Sequence, residues 1–322
     1  MTTNVANTMT SSSQQGIDFY FHCAVMVIAL MGTAANGLIL YALFASKQHK
    51  KHILIVHQNI IELFASSMTL LIYSIKFFNI YLTGSVGYVL CVLIFSESLI
   101  WWGTLASIIN LATITVERYL KVVYPVWSKN KLKNWMVYSA MAISWILPFI
   151  SFVLARFPTS QVIDGVCYEL QSFVSYAAKI IFVIWQVFSF YILMIIIFVF
   201  CYWRILIVVR RQARVMAGHS AAGSNAAQAQ SNQIQTNVIK TMILVSALYI
   251  ISWTPINFCA VAIYLFSYTK EWRAMYYITT FIAFSYMCTN PFVYATKFDP
   301  VKQVLLRMIP CKKTNEGNAG IV

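Results

Sequence analysis

The stretch YVLCVLIFSESLIWWGTLASIINLATITVERY, Tyr88–Tyr119, decides the fold class of this chain. Between Tyr88 and Thr115 its only charged side chain is Glu97. A helix needs about 20 mostly apolar residues to cross the hydrocarbon core of a bilayer, and this stretch is longer. Its apolar run is continuous, whereas the strands of a membrane barrel alternate with a period of two. Backbone polar groups in lipid must be satisfied within the segment, so the stretch predicts a transmembrane α-helix.

Seven stretches of this kind occur along the chain. They are Phe19–Phe44, Ile53–Tyr73, Tyr88–Thr115, Met136–Leu154, Ala178–Val208, Ile239–Phe266 and Met275–Tyr294, called spans 1 to 7. Of the 322 residues, 60% are hydrophobic and only 10% are charged, against about 25% charged residues in soluble domains. We therefore predict an all-α membrane protein built as a seven-transmembrane helix bundle.

The positions of Lys and Arg predict the orientation of the bundle. If the N-terminus lies outside, only five of the 23 basic residues face outward, and the other 18 face the cytoplasm. The outer five are Lys76, Arg156, Lys179, Lys270 and Arg273. This is a strong positive-inside bias. The net charge of +14 is therefore interpreted as topology and contact with membrane lipids, not as nucleic-acid binding.

The segments outside the spans complete the predicted organisation. Residues 1–17 are polar and predict an extracellular tail, residues 18–298 form the bundle, and residues 299–322 form a cytoplasmic amphipathic helix and tail. Ala213–Gln235 is rich in Ala, Ser, Gln and Asn and is expected to be a flexible loop.

Three short motifs with polar residues or proline lie in or next to spans 3, 6 and 7. TVERY (Thr115–Tyr119) ends span 3, SWTPIN (Ser252–Asn257) lies in span 6, and NPFVY (Asn290–Tyr294) ends span 7. A Pro inside a helix frees a carbonyl and kinks the axis, so Pro255 and Pro291 predict two hinges. Each motif alone has an ordinary explanation: a Glu–Arg pair at a helix end can be an interfacial anchor, and a membrane Pro is usually a packing kink.

The order and spacing of these motifs, with Asn36 in span 1 and Trp145 in span 4, resemble a rhodopsin-like (class A) G-protein-coupled receptor from about Phe19 to Cys311. The resemblance implies a multi-pass plasma-membrane receptor rather than an enzyme. Such a receptor binds an extracellular ligand, with a peptide favoured over a small molecule, and activates a heterotrimeric G protein by opening its cytoplasmic face.

The resemblance also implies roles for the motif residues. Arg118 would pair with Glu117 at rest and contact the G protein in the active state, when Tyr202 and Tyr294 swing in to support it. The full coupling and switch set is Glu117, Arg118, Tyr119, Tyr202, Asn290, Pro291 and Tyr294. Trp253 would be the aromatic floor of the ligand pocket, coupled to the Pro255 hinge. Gln235 replaces an acid that often locks the Arg of span 3, which predicts raised basal activity.

A mid-membrane polar cluster is implied as well. Its members would be Asn36, Ser67, Ser107 and Asn290, a set in which such receptors often hold a sodium ion. Ser67 stands where the family has an Asp, so a sodium site is not expected. The nearest acid is Glu62, whose role the sequence leaves open.

The ligand pocket candidates are Glu97, Ile100, Trp101, Trp185, Trp253 and Phe284. Ile100 stands where amine receptors have an Asp, and Phe284 stands where opsins have the Lys that binds retinal. A non-aminergic, non-opsin receptor without a cofactor is therefore expected. Glu97 could hold a cationic ligand or could simply be solvated at the pocket rim. The Trp residues could instead belong to interfacial belts.

Two cysteine features follow from the resemblance. Cys91 and Cys167 both face the oxidising side and could form a disulfide; in the family this bridge holds the second outer loop over the pocket. Cys311 follows the amphipathic stretch Asp299–Pro310 and is a candidate for palmitoylation, the alternative being an unmodified thiol.

The rival function is a seven-span transporter or channel, which needs a line of ionisable residues through the membrane. Away from the TVERY end, the carboxylates within the spans are Glu62 and Glu97, too few for such a path. An enzyme would need clustered His or acidic residues, and neither His22 nor His57 has a metal-ligand partner at i+4.

Overall fold

In the computed structural model the backbone is described for residues 2–50, 52–78, 80–170, 172–219, 226–266, 270–297 and 299–308. Side chains are described for residues 16–50, 52–78, 80–170, 172–212, 239–263, 265, 272–296 and 301–308. Cys311 and the side chain of Gln235 lie outside the described residues.

Helices make up nearly all of this structure. In chain order they are α1 (Thr2–Ala45), α2 (Ile53–Ile75), α3 (Gly84–Leu90), α4 (Ser98–Val123), α5 (Pro125–Lys131), α6 (Asn134–Pro148), α7 (Ala155–Thr159), α8 (Tyr176–Val187), α9 (Leu193–His219), α10 (Ala226–Phe266), α11 (Lys270–Ser285), α12 (Thr289–Lys297) and α13 (Asp299–Met308). Three π-helical turns, Cys91–Phe95, Phe149–Leu154 and Phe188–Ile192, join α3 to α4, α6 to α7 and α8 to α9. The turns therefore lie within spans 3, 4 and 5.

The seven-helix bundle is confirmed. Among the described residues, six segments are long and apolar enough to cross a membrane. Span 7 is the remaining one, and it is divided by a 3₁₀ turn at Tyr286–Cys288 between α11 and α12. Pro291 explains the break, because it has no N–H to donate to the carbonyl of Met287. The Asn36 side chain donates to that carbonyl instead, at 3.2 Å.

Two predicted irregular segments have helical backbone. The polar N-terminal segment, expected as a tail, belongs to α1, which begins at Thr2. The expected flexible loop Ala213–Gln235 is helical up to His219 in α9 and again from Ala226 in α10. Ala and Gln are strong helix formers, and this local preference outweighs the low complexity that suggested a loop.

The core lies around α4, which packs against α2, α6, α9 and α10. Large side chains from these helices are fully buried, Tyr249, Phe198 and Leu111 among them. The outer faces of the bundle are apolar: Trp203 is 67% exposed and Phe258 is 70% exposed. A chain that is apolar both inside and outside has the surface that lipid requires.

The second outer loop forms a β-hairpin of β1 (Gln161–Ile163) and β2 (Val166–Tyr168). Asp164 and Gly165 turn the chain, both with positive φ (50° and 75°), as a two-residue hairpin turn demands. Cys167 on β2 forms a disulfide with Cys91, with a Cα–Cα distance of 5.2 Å. The expected bridge is therefore confirmed.

The predicted amphipathic helix after span 7 is present as α13. Val301 is buried, and Val304 and Leu305 pack against the main core, while Leu306 is 43% exposed. One face of α13 thus closes the inner end of the bundle.

Candidate functional site

A buried carboxylate lies at the centre of the bundle. Glu62 Oε1 accepts hydrogen bonds from Gln58 Nε2 at 2.7 Å and from Ser107 Oγ at 3.0 Å. It also accepts one from Asn290 Nδ2. All four residues are at most 4% exposed. A single carboxylate oxygen therefore ties α2, α4 and α12 together.

This cluster differs from the one expected from the sequence. Ser107 and Asn290 belong to it, but Ser67 does not: among the described side chains it makes no hydrogen bond to the cluster and is only half-buried. Asn36 is buried nearby and bonds the carbonyls of Gly32 and Met287, not Glu62. The acid of the cluster is Glu62, which accepts the three hydrogen bonds.

The cluster continues sideways as a chain of hydrogen bonds. Asn110 Nδ2 donates to Gln58 Oε1 at 2.7 Å, and Asn110 Oδ1 lies 2.9 Å from His57 Nδ1. The indole N–H of Trp145 donates to His57 Nε2 at 2.9 Å. An indole nitrogen can only donate, so Nε2 of His57 must be unprotonated and Nδ1 carries the proton. His57 is thus a neutral link between α6, α2 and α4.

The sequence contained a signal for this network. His57, Gln58 and Glu62 are polar residues within a single apolar span, and polar residues in lipid are expensive unless they find partners. A metal-ligand pattern does not reveal the role of His57, because its partners are the amide of Asn110 and the indole of Trp145 on other helices.

The inner end of α4 carries a shared ion pair. Arg118 Nε lies 3.6 Å from Glu117 Oε2, which is longer than a hydrogen bond. Lys121 Nζ binds the other oxygen of Glu117 at 2.5 Å. Glu117 is therefore bound more closely by Lys121 than by Arg118. Tyr119, the last residue of the motif, packs its ring against Tyr124 and Phe200.

Tyr202 and Tyr294, the two residues expected to support Arg118, do not hydrogen-bond to it in the described part of this conformation. The hydroxyl of Tyr202 bonds Thr115 at 2.9 Å and Ser246 at 3.1 Å, which ties α9 to α4 and α10. The hydroxyl of Tyr294 is buried and makes no hydrogen bond within the described part of the chain. Their movement toward Arg118 stays a prediction.

A cavity of about 570 Å³ lies in the outer half of the bundle. Trp101 and Trp253, two predicted pocket residues, line it, with ring centroids 6.0 Å apart. Tyr249 lies one turn below Trp253 and also lines the cavity. Pro255 lies on the same helix just above Trp253, and Asn257 Nδ2 donates to the Trp253 carbonyl at 2.8 Å.

Four other pocket candidates lie away from this cavity. Glu97 forms an ion pair with Lys76. Ile100 and Phe284 are fully buried in a separate apolar cluster with Tyr73, and Trp185 is 45% exposed on the outside of the bundle. Glu97 precedes α4 with a left-handed backbone (φ 58°), so a count of residues along the regular helix does not give the direction of its side chain.

Charged residues lie at the outer end of the cavity, and two of them, Arg156 and Arg273, are among the basic residues predicted to face outward. Arg156 Nη1 lies 2.8 Å from Glu169 Oε2. Arg273 Nη2 lies 2.7 Å from Asp18 Oδ2, and Tyr277 donates to the other oxygen of Asp18 at 2.7 Å. Glu169 follows the disulfide-bonded β2, so the outer loop supplies part of the cavity wall.

Comparison with protein-family models gives one match. Residues 35–294 match the model described as 7 transmembrane receptor (rhodopsin family). No curated protein matches the chain. The matched range includes the buried carboxylate, the cavity and the inner-end motif.

Proposed function

Because the chain belongs to the rhodopsin family of seven-transmembrane receptors, we propose that it is a plasma-membrane receptor. It binds an extracellular ligand and activates a heterotrimeric G protein. The observation that carries this proposal is that the same two helices reach the cavity and the inner half of the bundle. α4 and α10 supply Trp101 and Trp253 to the cavity. Towards the inner face, α4 carries Glu117 and Arg118, and α10 carries Ser246, which bonds Tyr202. Its output is signalling, not catalysis.

The proposed mechanism couples the cavity to the inner face through α10. A ligand that contacts Trp253 changes its packing against Trp101 and Tyr249. Because Pro255 cannot donate to the carbonyl one turn before it, α10 bends at low cost at this level. Movement of the inner half of α10 would break the bond between Tyr202 and Ser246, which closes α9 onto α10. The ligand shifts an existing equilibrium by its differential affinity for the two states.

At the inner face, Tyr202, released from Ser246, and Tyr294 would support Arg118 in contact with the G protein. The resting pair is already weak, since Lys121 competes for Glu117. Together with Gln235 in place of an acid, this supports raised basal activity.

The buried carboxylate gives the proposal a second part. Glu62 Oε2 is buried and has no hydrogen-bond partner among the described residues. An orphaned carboxylate oxygen beside Ser107 and Asn290 fits a sodium ion, which would be held by Glu62 and Ser107. The ion would supply the positive charge that a buried carboxylate needs.

The test is G-protein activation in cells without added ligand. Wild type should give a signal above empty cells, and Arg118→Ala should abolish it at equal surface expression. The matched control Lys302→Ala removes one exposed positive charge from the same face and should keep the signal. If Arg118→Ala and wild type signal equally, Arg118 is not the coupling residue and the proposed mechanism fails.

A further inference from the structure

The cavity combines an apolar, aromatic body with a basic outer end. Trp101, Trp253 and Tyr249 lie at its inner part. Among the described lining residues, the basic ones are Arg156, Lys179 and Arg273, and the acidic one is Glu169. Glu169 pairs with Arg156, and Asp18 pairs with Arg273. A ligand anion can therefore bind an arginine here by exchanging with its carboxylate partner.

Arg156 is the cation best placed to take a ligand anion. Its side chain is 9% exposed, so its charge is largely removed from water and needs a partner. Its ion-pair partner Glu169 is 48% exposed and lies on the outer loop. Arg156 Nη1, although 2.8 Å from Glu169, makes no well-oriented hydrogen bond to it. The planar guanidinium is suited to bind a carboxylate with two parallel hydrogen bonds, and this bonding capacity is not fully used.

The second arginine is more firmly occupied. Arg273 bonds Asp18, whose other oxygen is held by Tyr277. Asp18 and Arg273 are each about one-third exposed, and the pair joins α1 to α11. A ligand anion would have to break this three-residue arrangement to reach Arg273. Exchange at Arg156 replaces the half-exposed Glu169 by another carboxylate, so the buried guanidinium keeps an anionic partner.

Two buried polar atoms lie deeper in the lining. Gln186 Nε2 donates to the Ser151 carbonyl at 2.9 Å, and this bond fixes the amide and leaves Oε1 without a partner. Trp253 Nε1 is also buried without a partner among the described residues. Buried polar atoms normally find partners. A ligand with one N–H donor and one carbonyl acceptor in its apolar body would satisfy both.

We propose that the cavity takes an apolar, amide-containing carboxylate, such as an N-acylated aromatic amino acid or the free C-terminus of an apolar peptide. Its carboxylate displaces Glu169 from Arg156, and its aromatic body lies against Trp101 and Trp253. This ligand class rests on the proposed receptor function, but binding itself is measurable without a G protein.

The test uses the melting temperature of the purified full-length chain in nanodiscs, titrated with N-benzoylphenylalanine and with its primary amide. The two probes differ in charge and share their shape. The acid should bind about tenfold more tightly than the amide, as expected for a charge-assisted hydrogen bond. A tripeptide with the same C-terminal residue, as free acid and as amide, shows whether the carboxylate can come from a peptide.

Variants separate the carboxylate site from general binding. Glu169→Gln removes the internal competitor and should raise the affinity for the acid about threefold, the scale of a partly exposed ion pair. Arg156→Gln should lower the affinity for the acid to that of the amide. The double variant Arg156→Gln/Glu169→Gln leaves no unpaired charge and should behave like Arg156→Gln, which guards against a folding defect.

The proposal is overturned if the amide binds as tightly as the acid, if Glu169→Gln weakens binding of the acid, or if neither the small acid nor the peptide acid raises the melting temperature. Binding of the acid without any G-protein signal would support the ligand class and count against the proposed receptor output instead.

Discussion

The buried carboxylate Glu62 makes a quantitative prediction about stability. Replacing it by Leu removes the acceptor of three hydrogen bonds, whereas replacing it by Gln keeps an acceptor oxygen and nearly the same volume. Gln58 Nε2 and Ser107 Oγ also contact each other at 2.5 Å, so they keep part of their bonding in either variant. Among the described residues, Asn290 Nδ2 has no such alternative.

The difference between the two variants isolates the hydrogen bonds from the loss of charge. A buried donor left unsatisfied costs about 1–3 kcal/mol, and one to two donors are left in the Leu variant. Glu62→Leu should therefore be less stable than Glu62→Gln by about 1–6 kcal/mol. With roughly 2 °C per kcal/mol for a large domain, its melting temperature should be lower by about 2–12 °C.

The assay is thermal unfolding of the purified chain in nanodiscs, with Ser67→Ala as the matched control. Ser67 is half-buried and lies outside the hydrogen-bonded cluster, so its variant should change stability by less than about 0.5 kcal/mol. If Glu62→Leu melts at or above Glu62→Gln, the three bonds do not stabilise the bundle. If Ser67→Ala is the more damaging change, the cluster is centred on the residue that the sequence suggested.

Three further predictions use the same preparation. Sodium chloride should raise the melting temperature over choline chloride in wild type but not in Glu62→Gln; an equal response of both would exclude a sodium ion at this carboxylate. His57→Phe leaves Trp145 Nε1 and the amide oxygen of Asn110 without these partners and should lower the free energy of unfolding by about 2–4 kcal/mol. Trp145→Phe should lower it by less, and the reverse order would show that His57 does not link the two residues. Cys91→Ser opens a bridge between residues 76 apart and should cost about 2–5 kcal/mol; a reducing agent should then destabilise wild type and leave the variant unchanged.

Features that depend on local composition were predictable from the sequence. The bundle follows from the length of the apolar stretches, and the predicted spans lie within the helical segments that the structure describes, apart from Ser96 and Glu97 in span 3. The pairing of Cys91 with Cys167 followed from the family resemblance and is confirmed. The motif residues Trp253 and Pro255 could be placed on one helix because their spacing is local.

Features that depend on tertiary contacts or irregular backbone were not predictable. Glu62 was left without a role because its partners lie on α4 and α12, far along the chain. The ion pair of Glu97 with Lys76 was not predicted, because Lys76 lies at the end of α2 and the positive φ of Glu97 takes its side chain out of the regular helical pattern of α4. Arg156 was counted only as an outer charge, since nothing in its neighbourhood signals that it is buried against the ligand cavity.

The most direct test of the account is the separation, at the inner face, between span 6 and α5, the short helix that follows α4. Spin labels at Lys131→Cys and Lys240→Cys, both exposed, would report it in the chain in nanodiscs, with Cys23, Cys288 and Cys311 replaced by Ser. Adding members of a panel of nucleotide-free G proteins should increase the longer-distance population with at least one member, and Arg118→Ala should suppress that increase. An unchanged distance with every member, in a chain that still folds, would contradict the claim that this receptor opens its cytoplasmic face to a G protein.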